Sequence, residues 1–159
     1  MFSKILIANR GEIAVRIIKT ARRFGIATVI VYSEADKGSK AVVMADEAIA
    51  IGGPTAAESY LVQERILQAA KDTGAEAIHP GFGFLSENAE FATRCEDEGI
   101  IFVGPTAEVI TMFGDKLSAK AFAIKCGVPV INGSDDALPN GEAMLDYVTS
   151  ADLRYPLML

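Results

Sequence analysis

The sequence predicts an α/β fold, a parallel sheet with helices over both of its faces. Three observations carry this expectation. Short apolar runs alternate with amphipathic segments along most of the 159 residues, as strand-helix-strand units do. The runs are apolar throughout, which is the pattern of strands buried on both sides. Gly25, Gly74, Gly99 and Gly127 each follow a helical stretch and precede an apolar run, where glycine can end a helix in the left-handed conformation.

Taken in order, Lys4 to Ala8 (KILIA) reads as the first buried strand. Glu12 to Phe24 follows as a helix, because Ala14, Ile17, Ile18 and Ala21 fall on one helical face. Past Gly25, Thr28 to Tyr32 (TVIVY) is the second strand. Leu61 to Thr73 is helical, Gly74 stops it, and Glu76 to Ile78 is a short strand. Asn88 to Glu98 is helical, Gly99 stops it, and Ile100 to Val103 is again a strand. Thr55 and Glu58 have the spacing of a capping box, and Ser86 is the expected N-cap ahead of Glu87.

Near residue 114 the pattern changes. Asp115 can cap a helix running to Cys126, followed by Val128 to Ile131 and a polar loop, NGSDDALPNG. A helix from Glu142 to Ser150 and an apolar run from Tyr155 to Leu159 complete the chain. That last run is expected to be a strand at which the fold is cut. Residues 1–114 are therefore expected to form one domain, and 115–159 the opening of a second.

Half of the residues are hydrophobic, enough for a substantial core. The net charge of −6 argues against the basic face that non-specific binding to nucleic acid or an anionic membrane needs. It does not exclude a phosphate ligand, which depends on local charge. Cys95 and Cys126 belong to no CxxC or Cys/His cluster, so two reduced cysteines are expected instead of a disulfide or a zinc site. The start, MFSKILIANRGE, lacks the features of a signal peptide. No apolar stretch approaches the roughly 18 residues of a membrane span. A soluble cytoplasmic chain is the expectation, with neither nucleic acid nor membrane as partner.

In open parallel sheets, ligands sit beyond the carboxyl ends of the strands, where strand order reverses. Five loops leave strand ends here: ANRGE (8–12), SEAD (33–36), GGPT (52–55), HPGFG (79–83) and VGPT (103–106). The first is not a GxGxxG turn, and Glu12 would face the phosphates of a dinucleotide, so Glu12 fits better as a first-turn carboxylate answering the helix dipole. His79, the single histidine, fits either a loop hydrogen bond or a site, and metal binding is not expected without further ligands. Gly81 and Gly83 serve either turn geometry or close approach of a ligand to the backbone. Phe82 is either core or a stacking platform. Glu87 is either a dipole partner or a carboxylate that orients a cation. Lys116 and Lys120 share one helical face, and both solvent exposure and contact with a nucleotide phosphate remain open.

The strings ILIANRGEIAVRII, VYSEAD, ADEA, AESYL, AIHPGFGFLSENAEFA, FVGPTAE and GDKLSAK occur in this order. Together they closely resemble the biotin carboxylase component of biotin-dependent carboxylases, over residues 1 to about 135 and faintly again at YPLML. The resemblance implies a Rossmann-like, doubly wound N-terminal domain followed by the start of an ATP-grasp domain. It implies a ligase activity in the parent enzyme: MgATP (or MnATP) activates bicarbonate as carboxyphosphate, and the carboxyl group passes to biotin on a carrier domain. The implied partners are that carrier domain, a carboxyltransferase subunit or domain serving an acyl-CoA or pyruvate, and a second copy in a homodimer. The implied compartment is the cytoplasm, or the mitochondrial matrix for a eukaryotic parent.

Residue by residue, the resemblance gives Lys116 the role of an ATP-phosphate lysine, and places Phe82 and Gly83 in the loop beside the biotin ring. Glu87 matches a carboxylate that helps orient the arginine steadying the biotin enolate, and Arg16 matches a dimer contact. Phe82 stands where the family more often has Tyr. Ser39, Lys40, Ala41 and Val42 replace a Ser-Leu-His-Val string, and Arg23 stands where bacterial members often have an acid. The remaining ATP, metal, bicarbonate and catalytic positions of the family fall beyond Leu159, so the 159-residue chain is expected to be inactive alone. Two other readings are a truncated copy serving only as an interaction module and a different ATP-grasp ligase. The HPGFGFLSEN string argues against the latter.

Overall fold

The computed structural model describes residues 1–131, 133–134 and 137–151. The expected Tyr155–Leu159 strand lies outside the described residues. The chain divides into two compact units, Met1–Thr111 and Met112–Leu159.

In the first unit five parallel strands form one sheet. They are β1 (Lys4–Ile7), β2 (Ala27–Tyr32), β3 (Glu47–Ala50), β4 (Ala77–His79) and β5 (Ile101–Phe102). Their order is β3-β2-β1-β4-β5, so the chain winds outward from β1 in one direction and then returns past it to wind in the other. The helices between them are α1 (Gly11–Arg23), α2 (Lys40–Met44), α3 (Gln63–Thr73) and α4 (Ala89–Asp97). The structure is thus the doubly wound α/β sheet that the sequence predicts.

Alternation along β1 shows how one strand serves two cores. Leu6 faces one side with Val29, Val31, Ile66, Leu67, Ala70, Phe91 and Cys95, the residues of α3 and α4 among them. Ile5 and Ile7 face the other, where Ile7 packs with Ala14, Ile18, Ile30 and Ala41 from α1 and α2, and Ile5 with Ala21 and Ala77. Successive strand residues point to opposite faces, so a strand buried on both sides must be apolar at every position.

Helix ends follow local chemistry. Gly74 at φ 67° ends α3, and Gly25, Gly99 and Gly127 take the same left-handed conformation after their helices. Arg22 and Arg23 lie in the last turn of α1, where the helix dipole favours cations, so Arg23 has a local reason to be basic. The carboxylate of Glu58 accepts from both the Thr55 amide (3.2 Å) and its hydroxyl (2.7 Å), the expected capping box, on the short 3-10 turn Ala56–Glu58.

Ser86 is not the N-cap of α4. Its amide closes a turn on the Gly83 carbonyl at 2.9 Å, and the helix starts later, with the Asn88 side chain accepting from the Phe91 amide at 2.8 Å. The strand β3 and the short helix α2 carry no long apolar run, and the sequence pattern does not delimit them.

The helix α5 (Ala107–Gly114) crosses the division between the units. In the second unit, Asp115 caps α6 (Lys116–Lys125) by accepting from the Ser118 amide at 2.7 Å, and Asn140 caps α7 (Gly141–Ser150) by accepting from Ala143 at 2.9 Å. Both helices match their expected positions. No helix among the described residues is long and apolar enough to cross a membrane.

Candidate functional site

Strand order reverses between β1 and β4, so the loops after these two strands, 8–12 and 80–88, flank the crevice where open α/β sheets bind ligands. The last rung between them runs from the Ala8 amide to the His79 carbonyl at 2.9 Å. Past that rung the chains separate, and side chains hold them.

Asn9 makes the main link. Its carboxamide nitrogen donates to the carbonyls of Pro80 (2.7 Å) and Phe82 (2.9 Å), and its oxygen accepts from the Arg10 amide at 2.9 Å. The Gly81 amide donates to Nδ1 of His79 at 3.0 Å. Burial lowers the His79 pKa, so the ring is neutral at pH 7 with its proton on Nε2, and this histidine is a loop hydrogen-bonding group. Gly81 has φ 71°, Gly83 φ 67°, and Phe84, with a side chain, φ 46°. The Phe84 ring stacks on Tyr60 with centroids 5.0 Å apart and planes 6° apart, and the Arg10 guanidinium lies 5.9 Å from the Phe84 ring centre.

Tyr60 in turn ties in the loop after β2. Its hydroxyl donates to Asp36 at 2.9 Å and accepts from the Ser33 amide at 3.1 Å, while the Ser33 hydroxyl donates to the same Asp36 oxygen at 2.9 Å. Burial pushes the Tyr60 pKa up and keeps the phenol protonated. Three strand-end loops thereby converge on one aromatic pair.

Two hollows flank the glycine loop. A groove of about 610 Å³ runs along α1 and is lined by Ile13, Arg16, Ile17 and Phe24, with His79 and Phe82 at its loop end. A smaller hollow of about 270 Å³ lies between residues 9–13 and Phe82–Phe84. The structure thus brings Phe82, Gly83 and Arg16 to the same region, with Phe82 77% exposed and shared by both hollows. Of the two openings left by the sequence for Phe82, core is excluded. Glu87 is exposed, one residue before the N-cap Asn88, and lines neither hollow.

Lys116 is exposed in the first turn of α6 in the second unit. Lys120 differs from it, because its ammonium donates to the carbonyls of Gly133 (2.7 Å) and Ser134 (3.0 Å). No group of three or more His, Cys, Asp or Glu is placed to hold a metal among the described residues. Cys95 is buried and Cys126 exposed, both as free thiols, and burial pushes the Cys95 pKa up to about 12.

Residues 1–110 match the family described as biotin carboxylase, N-terminal domain. The chain belongs to this family. Relatives of the biotin carboxylase family match throughout: a biotin carboxylase of Halalkalibacterium halodurans is 53% identical over 159 residues, all of this chain and 35% of that protein. The propionyl-CoA carboxylase alpha chain of Ruegeria pomeroyi is 48% identical over 159 residues, again all of this chain and 23% of the relative. This chain thus spans about a third or less of the length of these relatives. Among solved structures, the biotin carboxylase domain of the Hydrogenobacter thermophilus 2-oxoglutarate carboxylase, in complex with MgADP, ADP and bicarbonate, superposes with TM-score 0.89 at 46% identity, covering 94% of this chain and 33% of that one.

Asn9, Arg10, Tyr60 and Phe84 bear no mark of these contacts in the sequence, though all four stand in the strings ILIANRGEIAVRII, AESYL and AIHPGFGFLSENAEFA. Their partners lie far away in sequence; only the fold joins them.

Proposed function

We propose that this chain is the N-terminal part of a biotin carboxylase, which uses ATP and bicarbonate to carboxylate biotin on a carrier domain. In this reading residues 1–114 are the Rossmann-like domain and 115–159 begin the ATP-grasp domain. The observation that carries it is the glycine-aromatic loop 81–84, fixed at the sheet's switch point in a chain of this family. Gly83 has open space where a side chain would stand and leaves backbone accessible to a bicyclic ring, while Gly81 makes the turn over Asn9. Phe82 offers an exposed aromatic face beside them, and Glu87 supplies a solvent-facing carboxylate at the far end of the same loop.

Lys116, at the start of α6, is the residue for an ATP phosphate, a point charge suited to that ligand. Mg²⁺ has no fitting donor set among the described residues and depends on other parts of the parent enzyme. Arg16, exposed on α1, is the dimer contact, with a carboxyltransferase and a biotin carrier as the further partners.

The test is ADP release by the full gene product, measured with bicarbonate and biotin added singly and together. Release that needs both supports the reading. In a Phe82→Ala, Glu87→Ala variant the biotin KM should rise at least tenfold with the ATP KM unchanged, and an unaltered biotin KM removes these two residues from the site. Absence of any release that depends on both reagents leaves the chain as a binding module without catalysis.

A further inference from the structure

The path of residues 80–84 is not one that the loop would choose by itself. Three of its residues, Gly81, Gly83 and Phe84, hold positive φ, and the last has a side chain that disfavours it. Something outside the loop must hold this conformation.

Asn9 is placed to do so. It is only 2% exposed, and its amide orientation is fixed by its partners, because two carbonyls can only accept and must face the NH₂ group. One side chain thus binds the carbonyls on both sides of Gly81. A Cβ on Gly81 would lie 2.7 Å from the Asn9 nitrogen, so the amide fills the space beneath that residue. With the Pro80 and Phe82 carbonyls tied inward, Phe82 projects its ring outward into both hollows. The stack of Phe84 on Tyr60 anchors the other end of the run.

We infer that Asn9 is a positioning residue of the biotin-binding loop, setting the height and aim of Phe82 and the glycine backbone through its two carbonyl contacts. This inference rests on the biotin reading for the identity of the ligand, but not for the loop geometry.

The test uses the full gene product with Asn9→Asp, which puts an oxygen against the two carbonyls. Asn9→Ser, whose hydroxyl can satisfy one of them, serves as the second variant and decides the matter if the first does not fold. Hydrogen exchange of the Gly81 and Ser86 amides should speed up at least tenfold. The biotin KM should rise at least tenfold, with kcat and the ATP KM within twofold of the parent; a merely structural loss would reduce active enzyme and leave KM alone. Exchange and biotin KM both at parental values in a folded variant overturn the inference. If the parent shows no biotin-dependent turnover, the biotin reading fails, and the exchange rates still decide the role of Asn9.

Discussion

His79 shows how one residue can be visible in a sequence and its role not. It is the single histidine and stands at a strand end, which marks it for attention. Its ring instead accepts from the Gly81 amide, with Arg16 and Glu12 lining the same groove. Because burial depresses its pKa from the ordinary 6.5, the neutral form is the folded form. Stability from this group is complete above pH 6.5 and is lost as pH falls from there through the folded-state value, since the unfolded chain takes the proton first. Urea unfolding should therefore show a free energy that falls as pH drops below about 6.5, before ordinary carboxylates titrate. In His79→Asn the side-chain carbonyl can still accept from the amide two residues on, and this slope should vanish. Asn9 offers no comparable sign in the sequence. Any asparagine after a strand looks like a turn residue, and its carbonyl partners lie 71 and 73 positions away.

At the scale of elements, legibility follows burial. The strands β1 and β2 and the helices α1, α3 and α4 stand out because a stripe or a whole run of each must be apolar to meet the core. The edge strand β3 reads EAIA and is mostly exposed, so nothing in its composition separates it from a loop. Helix starts are subtler. Ser86 and Asn88 are both good N-caps, and the helix takes Asn88, whose side chain accepts from the Phe91 amide. Asn88→Ala should cost about 1 kcal/mol in a denaturant titration, the usual value of a lost cap, while Ser86→Ala should cost less than half of that. Equal effects would place the helix start elsewhere.

At the scale of the whole molecule, the first unit contains a complete sheet with a core on each face, both built from residues up to 110. A polypeptide of residues 1–111 should accordingly unfold in one cooperative transition followed by circular dichroism, its sheet amides as protected as in the longer chain. A broad, non-cooperative transition would mean that the sheet depends on residues outside the unit. The order of its strands has a further consequence for how the protein is made. β1 precedes the other four strands of the sheet in the chain and lies at its centre, yet one of its edges pairs only with Ala77–His79. At about 5–20 residues per second a ribosome needs several seconds to reach that point. Until then the nascent chain carries a half-built sheet in which Ile5, Leu6 and Ile7 have no partner strand along one edge, and the glycine-aromatic loop 81–84 takes shape only after that edge closes.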